Sequence, residues 1–502
     1  MGLLLGIDIG TTRTKGVLAT HTGAVVASAT RNHGVAYPRP GWAEQDADEV
    51  WWRECAEVAR ELIGGTNDCV DAVCVDAMGP SLVPVDQGGI ALRPGILYGI
   101  DSRAAAEIDE LNARYGRDTI SAECGSPLTS QSVGPKLLWL REHEPTVWSQ
   151  MRYVLMAHTF IVHRLTGAYV LDHHSASTCA PLYDYQLMQW HPGRTRDLVP
   201  GKSLPELRWP SDVAGLVSRD GARMSGIQEG TPVAVGTLDA WMDGISVNVR
   251  APGDRLLNYG TTMVVIGILG RQLADPRLAE TIGVFPGTYA VAAGTATSGA
   301  LTNWFQSVTG GTPLATLLEE AAYAPVGSDG LVILPYFAGE RAPINDASAR
   351  GLILGLTLRH GRGHLYRALL EATAFSVRDI LEVLRDSGPW LGLKAVGAGG
   401  SRGLWTQIVA DVTGEPQLLS RYSLGACYGS AWMAGVAIGA VDPDSTWNEV
   451  VGTVEPNPEH AATYNTLYGI YRALYPSTVS AMHVLASLQG AGAADAPEGP
   501  AA

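Results

Sequence analysis

The chain contains Leu5-Gly6-Ile7-Asp8-Ile9-Gly10-Thr11-Thr12 and, about 250 residues further on, Leu256-Leu257-Asn258-Tyr259-Gly260-Thr261-Thr262. Each stretch is an apolar, strand-like run that ends in Gly-Thr-Thr. Glycine lets the backbone turn tightly and approach a ligand, and successive N–H groups with threonine hydroxyls form a concavity suited to an anion. Taken singly, such a turn reads as an ordinary loop. Two copies at half-length spacing in 502 residues point to a duplicated phosphate-gripping turn, with a nucleotide between two lobes.

Around the first copy, residues 3 to 9 read as a central strand, followed by strands at Gly16 to Ala19 and Ala24 to Ser28 joined by His21-Thr22-Gly23. Helical spacing covers Asp48 to Ile63 and Arg103 to Tyr115, and the alternation Val70 to Val75 reads as a strand. Thr231-Pro232-Val233-Ala234-Val235-Gly236 is a further strand, with Asp239 at a helix start just beyond it. The turn Ala251-Pro252-Gly253-Asp254 separates a first domain, 1–248, from a second, 249–489. Residues 490–502 are rich in Gly, Ala and Pro, lose periodicity, and read as a disordered tail.

A chain of this length, 46% hydrophobic and 17% charged, can bury large cores and split into domains. Its formal net charge of −15 argues against nucleic acid or an anionic membrane as a partner, because both select basic surfaces. Six cysteines without a C-x-x-C pair read as reduced thiols, and the N-terminus lacks a signal-peptide layout, so a cytoplasmic protein is expected. The uncharged run Gly425 to Val441 is short and Gly/Ala-rich, which favours a tightly packed buried helix over a membrane span.

Other segments bear on chemistry. Gly397-Ala398-Gly399-Gly400-Ser401-Arg402 lies between the strand Leu393 to Val396 and a helical stretch from Leu404, a context that suits close approach to a nucleotide. It is not a dinucleotide fingerprint, since Arg402 stands where the third glycine belongs. Gly201-Lys202-Ser203 is not a P-loop either, because Arg196 occupies the first glycine position. Asp239 and Asp243 share a helix face, and Asp239 is the better placed, just past the carboxyl end of a strand. His173-His174 read as surface or hydrogen-bonded residues, and no Cys/His cluster has zinc spacing.

Two longer patterns carry a resemblance. Lys136-Leu137-Leu138-Trp139-Leu140-Arg141-Glu142-His143 is similar to one signature of the FGGY family of carbohydrate kinases, with Val133 departing from it just upstream. Gly351-Leu352-Ile353-Leu354-Gly355-Leu356, followed by His364-Leu365-Tyr366-Arg367-Ala368-Leu369-Leu370-Glu371, is similar to the other. Gly339-Glu340-Arg341-Ala342-Pro343 and Trp405 to Asp411 resemble further family segments. The resemblance runs from about residue 3 to about 485. It implies an α/β, two-lobed actin-like ATPase fold of duplicated ribonuclease H-like domains, with ATP in the interlobe cleft.

On that resemblance, Asp8 holds hydrated Mg²⁺, Thr11 and Thr12 face the β- and γ-phosphates, and Lys15 is a charge partner. Gly260, Thr261 and Thr262 form the second phosphate turn, where Asn258 replaces the carboxylate of Asp8. Gly397, Gly399 and Gly400 match the adenosine motif, and Gly299 and Asn303 a further nucleotide-contacting stretch. Asp239 matches the catalytic aspartate that takes the proton of the attacking sugar hydroxyl.

The acceptor side departs from the xylulose kinase subgroup, the nearest in pattern. Gln-Met-His-Gly becomes Met78-Gly79-Pro80-Ser81, and Trp-x-Asp-x-Arg becomes Gly99-Ile100-Asp101-Ser102-Arg103, with Tyr98 adjacent to the lost aromatic. Met78, Asp101, Arg103 and Asp239 are the expected substrate residues, for a keto-sugar or polyol with xylulose as leading acceptor. A homodimer is compatible with the resemblance. The competing reading is a non-catalytic sugar or nucleotide sensor, or a chaperone-like ATPase, on the same fold.

Overall fold

Strand β1 is Leu3–Ile9 in the computed structural model of the chain, and all seven of its residues are buried. The structure describes residues 2–273, 278–397, 399–401 and 403–494. β1 pairs antiparallel with β2 (Arg13–Thr20), which pairs with β3 (Val25–Asn32). On its other side it runs parallel to β4 (Val70–Ala77). With β5 (Val213–Leu216) and β6 (Pro232–Ala234) they form one sheet in the order β5-β6-β4-β1-β2-β3. A strand with neighbours on both sides and both faces covered favours apolar residues, which is why β1 is hydrophobic apart from Gly6 and Asp8 near its carboxyl end.

The chain divides into two compact units. The first comprises Met1–Pro252, Ile268–Val291 and Leu424–Glu449, and the second Gly253–Gly267, Ala292–Ser423 and Val450–Ala502. The Gly/Ala-rich run therefore belongs with the first sheet. It forms helix Ala426–Ala437, in which Ala426 through Gly435 are all buried. Small residues let it lie unusually close to its neighbours: a Cβ on Gly6 of β1 would stand 2.0 Å from the Cys427 carbonyl, and one on Gly429 2.1 Å from that of Met242. Helix Asp239–Ser246 is thus packed directly on helix Ala426–Ala437, where substitutions larger than glycine do not fit.

In the second unit, β7 (Arg255–Tyr259) pairs antiparallel with β8 (Met263–Leu269) and parallel with β9 (Leu393–Val396). Five strands run in the order β8-β7-β9-β10-β11, with β10 at Gln417–Ser420 and β11 at Val450–Val454. Both units therefore start with a hairpin whose first strand also has a parallel neighbour. The two turns differ in length: β1 and β2 close at Ile9↔Thr14, whereas β7 and β8 close at Tyr259↔Met263, one loop residue shorter.

The first signature segment lies on helix Val133–His143, and the second runs from the short strand Leu352–Leu354 into helix Arg362–Leu384. In the second, Arg367 and Glu371 form a buried ion pair at 2.8 Å, and Glu371 also accepts from Ser328 Oγ, Gly327 N and Tyr464 Oη. Residues 490–494 continue helix Ala461–Ala494, so this part of the expected tail is helical. The rest of the tail, 495–502, lies outside the described residues.

Candidate active site

The first Gly-Thr-Thr turn is braced from behind by side chains distant in sequence. His33 Nε2 donates to the Gly10 carbonyl (2.9 Å), Gln45 Nε2 to that of Thr11 (2.8 Å), and the His33 amide to that of Thr12 (3.0 Å). Gln45 is itself fixed by Trp51 Nε1 (2.9 Å). With its carbonyls tied down on one side, the turn is set to present amides and hydroxyls on the other, as an anion site requires. Thr12 is exposed and Thr11 half-buried. The Thr11 hydroxyl meets the phenol of Tyr98 at 3.0 Å.

Beside the turn is a group of carboxylates. The register places Asp8 of β1 between Lys15 of β2 and Asp76 of β4. Asp8 Oδ2 lies 3.7 Å from Lys15 Nζ, while Asp8 Oδ1 is buried with no hydrogen-bond partner among the described residues. Burial raises the pKa of Asp8, opposed by Lys15. Asp76 is raised well above the usual carboxylate range by burial and by Asp8, and Ser430 hydrogen-bonds to it.

Asp239 is the first residue of helix Asp239–Ser246, and its Oδ1 accepts from the Ala240 amide at 2.7 Å. It is half-buried, and burial, reinforced by the charge of Asp8, pushes its pKa up to about 7. Asp243, one turn on, is pushed up to about 8 by burial, then by Asp8 and Asp239. Lys15 stays charged: burial works against it, but Asp8, Asp243 and Asp76 raise its pKa.

The expected acceptor residues lie deeper than a direct substrate contact requires. Met78 is buried in the apolar core under the first sheet. Asp101 and the Arg103 side chain are wholly enclosed. They bind each other through Arg103 Nε (2.9 Å) and Nη2 (2.7 Å), Arg103 also reaches Glu44 (2.8 Å), and Asp101 takes the Ala43 amide (2.7 Å). Tyr98, by contrast, is half-buried. Lys136, from the first signature, is buried and donates to the carbonyls of Leu97 (2.6 Å) and Tyr98 (3.1 Å). Burial pushes its pKa down to about 7.

In the second unit, the Gly260-Thr261-Thr262 turn is held by the start of helix Gly299–Val308. Gly299 N donates to the Gly260 carbonyl (3.1 Å), and Ser298 N (3.0 Å) and Ala300 N (3.1 Å) to that of Thr261. Gly299 is thus turned toward the protein, and a Cβ there would come within 2.6 Å of the Gly260 oxygen. Asn303 and Thr261 are exposed. Gly397 has φ +87°, and its Cβ would meet the Tyr259 carbonyl at 2.7 Å. Gly400 N closes the glycine loop on the Gly397 carbonyl (3.1 Å), and Gly399 packs against Trp405 and Tyr259. Glu340 Oε1 accepts the Ala296 and Arg341 amides (both 2.7 Å), steadying the approach to Gly299.

Sequence reasoning missed His33, Gln45 and Asp76, and quoted Glu340 only within a family-like segment, without a role. Of the three missed residues, Asp76 had a readable signal, at the same strand position as Asp8 in the neighbouring parallel strand.

Two α/β units, each with a glycine-threonine turn at the end of its first strand, one beside buried carboxylates and the other beside a glycine-rich loop, define a phosphotransferase on the two-domain actin-like ATPase fold. Comparison with known proteins narrows the class. The chain belongs to the FGGY family of carbohydrate kinases: the family's N-terminal domain model matches residues 3–245 and its C-terminal domain model residues 256–438. A xylulose kinase of Staphylococcus epidermidis is 26% identical over 95% of this chain and 97% of its own length. Glycerol kinase 2 of Streptomyces coelicolor is 30% identical over 87% and 88%. The crystal structure of xylulose kinase from Rhodospirillum rubrum superimposes with a TM-score of 0.86 at 33% identity, over 96% of this chain and all of that one. The protein is an ATP-dependent carbohydrate kinase, a phosphotransferase with an alcohol group as acceptor. No helix among the described residues is long and apolar enough to cross a membrane.

Proposed function

We propose that the protein transfers the γ-phosphoryl group of ATP to a hydroxyl of a small ketose, with xylulose the leading acceptor, and that Asp239 is the catalytic base. One observation carries the assignment of the base: Asp239 begins a helix as an electrostatic neighbour of Asp8 and Lys15, with a pKa near 7. A half-buried carboxylate tuned close to neutral pH can accept a proton and still be ionised in use.

Asp8 is the residue that would hold Mg²⁺. Its unpartnered buried oxygen and the surrounding carboxylates are hard donors of the kind this ion takes. Bound there, the ion would neutralise charge on the phosphates during transfer. Thr11 and Thr12 supply hydroxyls and amides to the phosphate oxygens, and Lys15 adds a positive charge. Gly260, Thr261 and Thr262 take further phosphate contacts. Gly397, Gly399 and Gly400 form the adenosine side, and the exposed Asn303 on helix Gly299–Val308 adds a nucleotide contact. Gly299 serves by letting its helix close on the Gly260 turn.

Asp239 removes the proton of the acceptor hydroxyl as that oxygen attacks phosphorus, and positioning supplies most of the acceleration. Xylulose is favoured because xylulose kinases are similar to this chain over nearly its whole length. The enclosed Asp101–Arg103 pair and Tyr98 support a rigid acceptor wall that selects a particular hydroxyl pattern. The cysteines, five buried and none in a disulfide among the described residues, support a reducing cytoplasm.

A coupled assay of ADP release over ketoses, aldoses and polyols tests the reading. D-Xylulose is expected to stimulate release most. Release at the ATP-only rate with every acceptor would overturn it.

A further inference from the structure

Asp172 is wholly buried at the end of a short strand, and it caps the five-residue helix His173–Ser177 through the Ser175 amide (2.9 Å). Capping needs one oxygen and one donor. Here the carboxylate gathers two more partners, Thr237 Oγ1 at 2.8 Å and His158 Nε2 at 3.2 Å. Burial opposes its charge, but the hydrogen bond and charge of His158 keep its pKa below the ordinary carboxylate value. It is a fixed anion in the interior, and Thr237 lies two residues before Asp239.

The same short segment also touches the chain two residues after Asp239. His174 donates from Nδ1 to the Ile282 carbonyl (2.7 Å) and sets its ring edgewise against Trp241, with centroids 4.4 Å apart. Between these two holds, the path to Asp239 has little freedom. The amides of Val235 and Gly236 donate to the carbonyls of Asp212 (2.9 Å) and Pro210 (3.0 Å), and Leu238 bridges Ala77. Gly236 sits at φ +72°, and a Cβ there would stand 2.1 Å from the Val75 oxygen.

We propose that Asp172 is a positioning residue for the reaction, which through Thr237 on one side, and with His174 against Trp241 on the other, sets the direction of the Asp239 carboxylate. This rests on Asp239 being the base. A base misplaced by about 1 Å can lose on the order of 10²-fold in rate, while ground-state binding is untouched. The predicted effect therefore falls on kcat and requires Asp239.

The test compares Thr237→Val, which keeps the shape and removes the donor, with Thr237→Ser, which keeps the donor. Each is made in the unaltered protein and in Asp239→Asn, and assayed with ATP, Mg²⁺ and the acceptor giving most ADP release. Thr237→Val is expected to lower kcat about 10- to 100-fold, with both KM values within about twofold. Thr237→Ser should return to within about threefold. In the Asp239→Asn background, Thr237→Val should change nothing further. Should Thr237→Val fail to fold by circular dichroism, Thr237→Ala must give the same split. A silent Thr237→Val beside a crippled Asp239→Asn overturns this proposal alone, as does an equal loss in both backgrounds. Near-normal turnover by Asp239→Asn itself overturns the base assignment, and this proposal with it.

Discussion

The phenol oxygen of Tyr98 lies 3.0 Å from Oγ1 of Thr11, joining the proposed acceptor wall to the first Gly-Thr-Thr turn across 87 residues of sequence. Lys136 holds the carbonyl of the same tyrosine. A change at Tyr98 therefore reaches Thr11 directly. One net hydrogen bond is worth about 0.5–1.5 kcal/mol. Tyr98→Phe should accordingly lower kcat/KM about three- to tenfold, and steady-state kinetics with ATP and acceptor varied separately would measure it.

Asp239 must be ionised to accept a proton, and its pKa is raised to about 7. The sign follows: kcat/KM should rise with pH through about 7 and fall about tenfold per unit below it. A pH–rate profile from 5.5 to 9 measures this. An acid limb centred near 4 would mean that Asp239 titrates as an ordinary carboxylate.

Gly299 admits no side chain, since its Cβ would stand 2.6 Å from the backbone oxygen of Gly260. Gly299→Ala should push the helix start off the second turn. The KM for ATP is expected to rise about tenfold with a smaller effect on the acceptor, as read by ATP titration at saturating acceptor.

Lys136→Met leaves the carbonyls of Leu97 and Tyr98 buried without their donor, at a cost of about 1–3 kcal/mol in urea unfolding. The folded pKa of Lys136, pushed down to about 7 by burial, lies below the ordinary lysine value of 10.5. Between these values the unfolded chain binds more protons, so the contribution of Lys136 to stability improves as pH rises from 7 and is poorest below 7. The stability gap between unaltered protein and Lys136→Met should therefore widen between pH 7 and 9.

The parts of the candidate site that were legible in sequence are those carried by local backbone chemistry. Gly10-Thr11-Thr12 and Gly260-Thr261-Thr262 end continuous apolar strands, and Asp239 opens a helix just beyond one. What braces them was not legible. His33, Gln45 and Tyr98 reach Gly10 and Thr11 from 23, 34 and 87 residues away, and a side chain tying down a distant carbonyl imposes no periodicity. The acceptor residues show the same limit from the other side. Asp101 and Arg103 stand out as a polar pair two residues apart, but only the fold reveals that they are enclosed and bound to each other. The long signatures were readable for a related reason: Lys136 and the Arg367–Glu371 pair are buried polar clamps, tied to particular neighbours and therefore to particular residue types.

The central assignment is Asp239 as the base, and the most direct measurement is acceptor-dependent ADP release by Asp239→Asn, alongside ATP binding by calorimetry. The expected result is a loss of about 10²- to 10⁴-fold in turnover, with ATP affinity within about twofold of the unaltered protein. Turnover within about threefold of the unaltered protein, at equal ATP affinity, would contradict it and move the role to Asp243.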